Sequence, residues 1–130
     1  LVQHRASTGR KVAGLFVMLA PPVVALGFIT RLAVFQVGGA VLMAIGVCAV
    51  GALQVGEALR RSGRTRALLL VSSASPWVAM GLGVAWAASQ YWPAVPALSV
   101  PDMVPTHGAL NAFGFVLCGH LAWWLDERGY

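Results

Sequence analysis

Few side chains in this sequence could do chemistry, and most of those lie among apolar neighbours, where a polar group is costly unless it is partnered. His107 and Asn111 stand four residues apart, a spacing that puts two side chains on one helix face. A histidine so placed could bind a substrate group or move a proton, with Asp102 just upstream as the carboxylate that selects its tautomer. Gln36, Gln90 and Thr106 add further hydrogen-bonding groups. His107, Asn111, Gln36, Gln90 and Asp102 thus form the candidate ligand-binding set. Plainer roles compete with this one. A single histidine near a helix end commonly caps the helix or bonds a neighbouring one, and Thr106 and His107, directly after Pro105, read as a helix start whose free amides need acceptors.

The remaining polar groups read as structural. His120 lies thirteen residues beyond His107, about 140° away around an α-helix, so the two cannot share a site on a straight one. Cys48 and Cys118 sit inside apolar runs as small packing residues. With no CxxC and no zinc-ligand spacing, neither a metal nor a cofactor is expected. Glu57 with Arg60 and Arg61 has the spacing of a helix-end ion pair. Gln54, Ser72, Ser73 and Ser75 are suited to hydrogen bonds between helices. No GxSxG, HExxH, P-loop or paired-carboxylate pattern occurs, which gives no support to a hydrolase or a nucleotide-driven pump.

The elements that must position these residues follow from the distribution of apolar and charged positions. Of 130 residues 58% are hydrophobic and 10% charged, against about a quarter charged in a soluble domain. The apolar residues come in blocks, and lipid is the solvent such blocks require. Four spans of about 20 residues, the length that crosses a ~30 Å hydrocarbon core, are predicted over 12–30, 32–56, 67–89 and 106–125. The fold class is therefore all-α, a four-helix transmembrane bundle forming one domain over 1–130. Because the chain begins at Leu1 and without the features of a signal peptide, it reads as a fragment or a processed piece of a longer protein.

Details of the spans sharpen this reading. Pro21 and Pro22 should bend the first helix with the bend facing protein, because the freed carbonyls need partners. Only Arg31 separates the first two spans, which implies a tight hairpin. Two stripes of small residues, Ala40, Ala44, Cys48, Ala52 and Gly56 on the second span and Ser75, Ala79, Gly83 and Ala87 on the third, suggest that these helices pack through them. The segment Ala58 to Arg66 is expected to be an exposed loop. Tyr91 to Pro105, with four prolines, is expected to be extended.

Charge sets the orientation. The net charge of +5 would suggest nucleic acid in a soluble protein, but here the basic residues fall at segment ends, so no nucleic-acid partner is expected. With the arginine-rich loop in the cytoplasm, Arg5, Arg10, Lys11, Arg60, Arg61, Arg64, Arg66 and Arg128 share one side and only Arg31 lies outside, as the positive-inside rule requires. Both termini are then cytoplasmic, and the candidate set lies toward the outer leaflet.

The stretch DMVPTHGALNAFGFVLCGHLAW, Asp102–Trp123, resembles the signature of the YndJ-like family of bacterial membrane proteins, and LAPPVVALGF, Leu19–Phe28, is similar to another of that family's spans. The resemblance implies a multi-pass protein of the bacterial inner membrane, of which this chain is the C-terminal portion, sometimes labelled a transporter by analogy. Its matching positions are His107, Gly108, Asn111, Gly114 and Phe115. Three functions remain open at this point: binding or transport of a small molecule through a polar pocket near the outer leaflet, an intramembrane enzyme acting on a lipid-like or isoprenoid substrate with His107 as acid or base, and a structural subunit. The expected partners are the lipid bilayer and other transmembrane helices or a second copy of the chain.

Overall fold

The computed structural model describes residues 2–128, with side chains from Thr8 onward. Three long helices, α1 (Val2–Thr30), α2 (Ala33–Ala58) and α3 (Gly63–Ser89), precede a composite fourth span. That span opens with α4 (Val100–Met103), continues through two π-helical segments (Val104–Gly108 and Leu110–Leu117) and ends with α5 (Cys118–Glu127). Each of the four spans is long and apolar enough to cross a membrane. Their outward faces are apolar too: Ile29 is 80% exposed and Met18 77%, an arrangement stable in hydrocarbon and not in water.

The helices extend beyond the predicted spans. α1 starts at Val2, so the polar lead-in is helical; the side chain of Arg5 lies outside the described residues. The arginine loop shrinks to 59–62, and Arg64 and Arg66 belong to the first turns of α3. The stretch before the fourth span is likewise shorter than expected, because the helix starts at Val100. Ser99 caps it, accepting a hydrogen bond from the amide of Asp102, and Pro101 sits in the first turn, where its missing N–H removes no helical bond. The tight hairpin is present: α1 ends at Thr30 and α2 begins at Ala33, with Arg31 at φ 57° and its amide bonded to the carbonyl of Gly27 at 2.8 Å.

Packing follows chain order, α1 on α2, α2 on α3, and α3 on the fourth span. Glycines set the approach. The backbone of Gln36 in α2 lies where a Cβ on Gly27 would stand, Gly39 faces Val24, and Gly46 faces Phe16 and Val17, giving one antiparallel register along the α1–α2 pair. On its other side α2 meets α3 where Gly51 abuts the Ser73 carbonyl and the Cys48 thiol points at the Pro76 carbonyl, 3.9 Å away.

Two expectations about these faces are corrected. α2 and α3 do pack together, but only part of the α2 stripe takes part: Cys48 and Ala44 pack against the buried cluster of Val47, Ala79 and Met80, while Ala52 and Gly56 are exposed. At ~100° per residue a four-residue step advances ~40°, so a five-member stripe winds ~160° around the helix and leaves a straight neighbour. Of the α3 stripe, Ser75 and Gly83 instead receive the fourth span, Ser75 filling the space beside Gly114 and Gly83 lying under His107, while Ala79 joins the cluster with Val47 of α2. The prolines of α1 are also not turned inward; Pro21 and Pro22 are exposed within a helix that continues to Thr30.

A second buried cluster, Ala58, Leu69 and Ala122, closes the end of the molecule that carries the arginine loop. There Arg61 reaches Asp126 at 3.0 Å across the half-buried gap between loop and α5, and Arg60 pairs more loosely with Glu57 at 3.7 Å.

Candidate functional site

His107 and Asn111 lie in the π-helical part of the fourth span, where the turn is wider than in an α-helix and hydrogen bonds run five residues along the chain. Pro105 supplies no amide donor, and the wide turns start beside it at Val104. Asn111 turns its amide back along the helix, with Nδ2 at 3.0 Å from the His107 carbonyl and 3.1 Å from His107 Nε2. An amide nitrogen that donates to that carbonyl presents its second hydrogen to Nε2, so Nε2 accepts. The ring proton then resides on Nδ1, which donates to the Ala79 carbonyl of α3 at 2.7 Å. Gly83 makes this possible, since a Cβ there would stand 3.2 Å from the ring carbon Cε1.

His107 is therefore a neutral bridge between the fourth span and α3 with both nitrogens engaged. Asp102 does not orient it, contrary to the acid–base arrangement expected: its carboxylate accepts from the Ser99 hydroxyl at 2.5 Å. The helix start is Ser99, so Thr106 and His107 do not cap it either; the Thr106 hydroxyl donates to the Asp102 carbonyl at 2.6 Å.

The other members of the candidate set lie apart from this pair. Gln36 is buried and accepts a hydrogen bond from the Tyr91 hydroxyl at 2.7 Å, tying the start of α2 to the segment after α3. Gln90 is exposed and donates to the Trp86 carbonyl of its own helix. His120 turns to the Val116 carbonyl on an exposed face. Of the serine cluster, Ser72 alone bonds between helices, donating to the Phe115 carbonyl at 2.7 Å with Gln54 beside it. Ser73 and Ser75 donate to carbonyls four residues back in α3. Among the described residues no group of three His, Cys, Asp or Glu side chains gathers in a metal-binding arrangement.

What the sequence did not disclose is the space beside His107. All four spans border a groove of about 660 Å³, with Phe28 from α1, Met43 from α2, Val84 from α3 and Phe115 from the fourth span in its wall. His107 and Asn111 are its only polar side chains. Both are partnered in the way just described, but Asn111 Oδ1 takes no hydrogen bond from the described residues and remains an open acceptor in an otherwise apolar wall. Nothing in the spacing of Phe28, Met43 and Val84 distinguishes them from lipid-facing residues; only the divergence of α1 from the fourth span, which leaves the groove between them, does so.

Four apolar helices with lipid-compatible outer faces define a multi-pass membrane protein. The profile of the YndJ-like proteins matches residues 1–115, a stretch that includes both His107 and Asn111, and the chain belongs to that family. No curated protein and no solved structure matches it.

Proposed function

We propose that this protein binds a lipid-like amphiphile in the groove beside His107, as a non-catalytic membrane component. The observation that carries the reading is the wall itself, about 660 Å³ bordered by all four spans and apolar except for His107 and Asn111. A hydrophilic solute would find almost nothing there to replace its water, a loss of the order of several kcal/mol for each unpaired polar group. An acyl or isoprenoid chain bearing one hydroxyl fits better, its chain among Phe28, Met43 and Val84 and its hydroxyl on Asn111 Oδ1. The engagement of both imidazole nitrogens favours binding over acid–base catalysis, because a proton could be moved only after the hydrogen bond to Asn111 or that to Ala79 was broken.

The reading extends to orientation. With the arginine loop in the cytoplasm of a bacterial cell, the groove opens in the outer half of the inner membrane. A cysteine introduced at Ser62 should then stay unlabelled by an impermeant thiol reagent added to intact cells, and labelling from outside would invert the orientation. For the groove, a photoactivatable long-chain alcohol should crosslink to the purified protein. Val84→Trp, which fills the groove, should cut the yield by about tenfold, and Asn111→Leu by about three- to tenfold for loss of one hydrogen bond. Equal crosslinking in all three proteins would defeat the proposal.

A further inference from the structure

At the opposite end of the molecule α1, α2 and α5 border a second open groove, of about 640 Å³. Leu53 and Trp123 contribute apolar wall, and Arg10, Gln54, Glu57 and Arg60 contribute polar wall. The register set by Gly39 against Val24 and Gly46 against Val17 brings Arg10 level with Leu53, five residues before α2 ends at Ala58. At ~1.5 Å per residue, Arg10 stands ~7 Å inside the helix end. It thus stands within the helical part of the bundle and not in a loop.

The arginines of the 59–66 region lie in or beside a loop, whereas Arg10 stands level with the apolar side chain of Leu53. A cation inside a span is costly and calls for an anionic partner. Of the carboxylates at this end, Asp126 pairs with Arg61 and Glu57 with Arg60, Glu127 is not part of the groove wall, and Arg10 is in no ion pair among the described residues. Two guanidinium groups therefore face the groove against one carboxylate, which Arg60 already engages, beside the apolar wall of Leu53 and Trp123, as a lipid site requires and a site for a free ion does not. We propose that this groove holds one anionic diacyl phospholipid, its phosphodiester bridged by Arg10 and Arg60 and one acyl chain lying along Leu53 and Trp123. Guanidinium groups suit this role because their planar fork matches phosphate oxygens two at a time. Gln54, whose amide lies beside Ser72 at the groove's edge, offers the headgroup a neutral donor.

The test is native mass spectrometry of the full chain in detergent, titrated with dioleoylphosphatidylglycerol or with dioleoylphosphatidylcholine. The phosphatidylglycerol adduct should form at lower lipid concentration, and each of Arg10→Gln and Arg60→Gln should weaken it about fivefold, from the attraction of one basic residue to an anionic membrane surface. Arg10→Lys should bind more tightly than Arg10→Gln and less tightly than the unaltered chain, because it keeps the charge and loses the fork, which separates loss of charge from loss of fold. Arg31→Gln, at the far end, and Val84→Trp, in the first groove, should leave it unchanged, so the outcome stands apart from the reading above. Equal binding of the two lipids by the unaltered chain would overturn the proposal. So would unchanged phosphatidylglycerol binding by the Arg10→Gln/Arg60→Gln pair, and so would its displacement by millimolar inorganic phosphate, which would assign the site to the free ion.

Discussion

The His107 ring is held by two atoms from two helices, and each contact constrains what the ring can do. With Nδ1 donating to Ala79 and Nε2 accepting from Asn111, nitrogen NMR should find the Nδ1–H tautomer; the Nε2–H form would leave Nδ1 nothing to donate and would mean that the ring does not bond Ala79. Replacing His107 by alanine should cost about 0.5–1.5 kcal/mol in reversible unfolding, the range for one hydrogen bond between membrane helices. Asn111→Ala on that background should cost much less than it does alone, because its partner has gone. Arg31 poses the opposite case, a side chain paying for its position: its φ of 57° is left-handed, a region that costs a residue with a Cβ ~1–2 kcal/mol. Arg31→Gly should stabilise the protein by about 1 kcal/mol, and no gain in an unfolding titration would place the strain elsewhere.

Among the elements, the fourth span departs furthest from the regular helix that its sequence suggests. Its π turns run from Val104 to Gly108 and from Leu110 to Leu117, and near the end of the second the Phe115 carbonyl is taken by Ser72 of α3. The span is docked by small residues: Ser75 occupies the space that a Cβ at Gly114 would need, and the Ser72 hydroxyl stands 2.9 Å from the corresponding point at Gly119. Gly114→Ala should therefore destabilise the protein by about 1–3 kcal/mol, the usual effect of overpacking, and Ser75→Gly should restore most of the loss. Failure of that rescue would show that the two helices do not meet at this point.

At the scale of the whole molecule, the packing order α1, α2, α3, fourth span leaves α3 central and α1 held mainly by α2. The C-terminal end of α1 reaches α3 through Phe28 against Trp86, ring centroids 6.4 Å apart, which closes one end of the groove while its side stays open. The outward face sets a further expectation. On a water-soluble protein a lysine at a site as exposed as Met18 would be nearly neutral, but Met18 lies mid-span. Met18→Lys should cost about 2.5–3.5 kcal/mol in a membrane-insertion assay, and unimpaired insertion would count against a lipid-facing surface there.

The all-α class, the four spans and the hairpin at Arg31 were legible in the sequence because they depend on local properties: runs of apolar residues, their length against the bilayer, and charges between them. The pairing of His107 with Asn111 was legible for the same reason, since a four-residue spacing lies on one face in either kind of helix. The tertiary structure alone decided what those residues face. Gln36 and Gln90 fall in the same half of the molecule as His107, yet one turns to Tyr91 and the other back along its own helix, and the Asp102 carboxylate is taken by Ser99. The groove itself arises from how far α1 diverges from the fourth span, a distance set by which glycines allow close approach and which do not. Side chains of one type serve lipid, core and groove alike, so sequence determines that they are apolar and packing determines which of the three they meet.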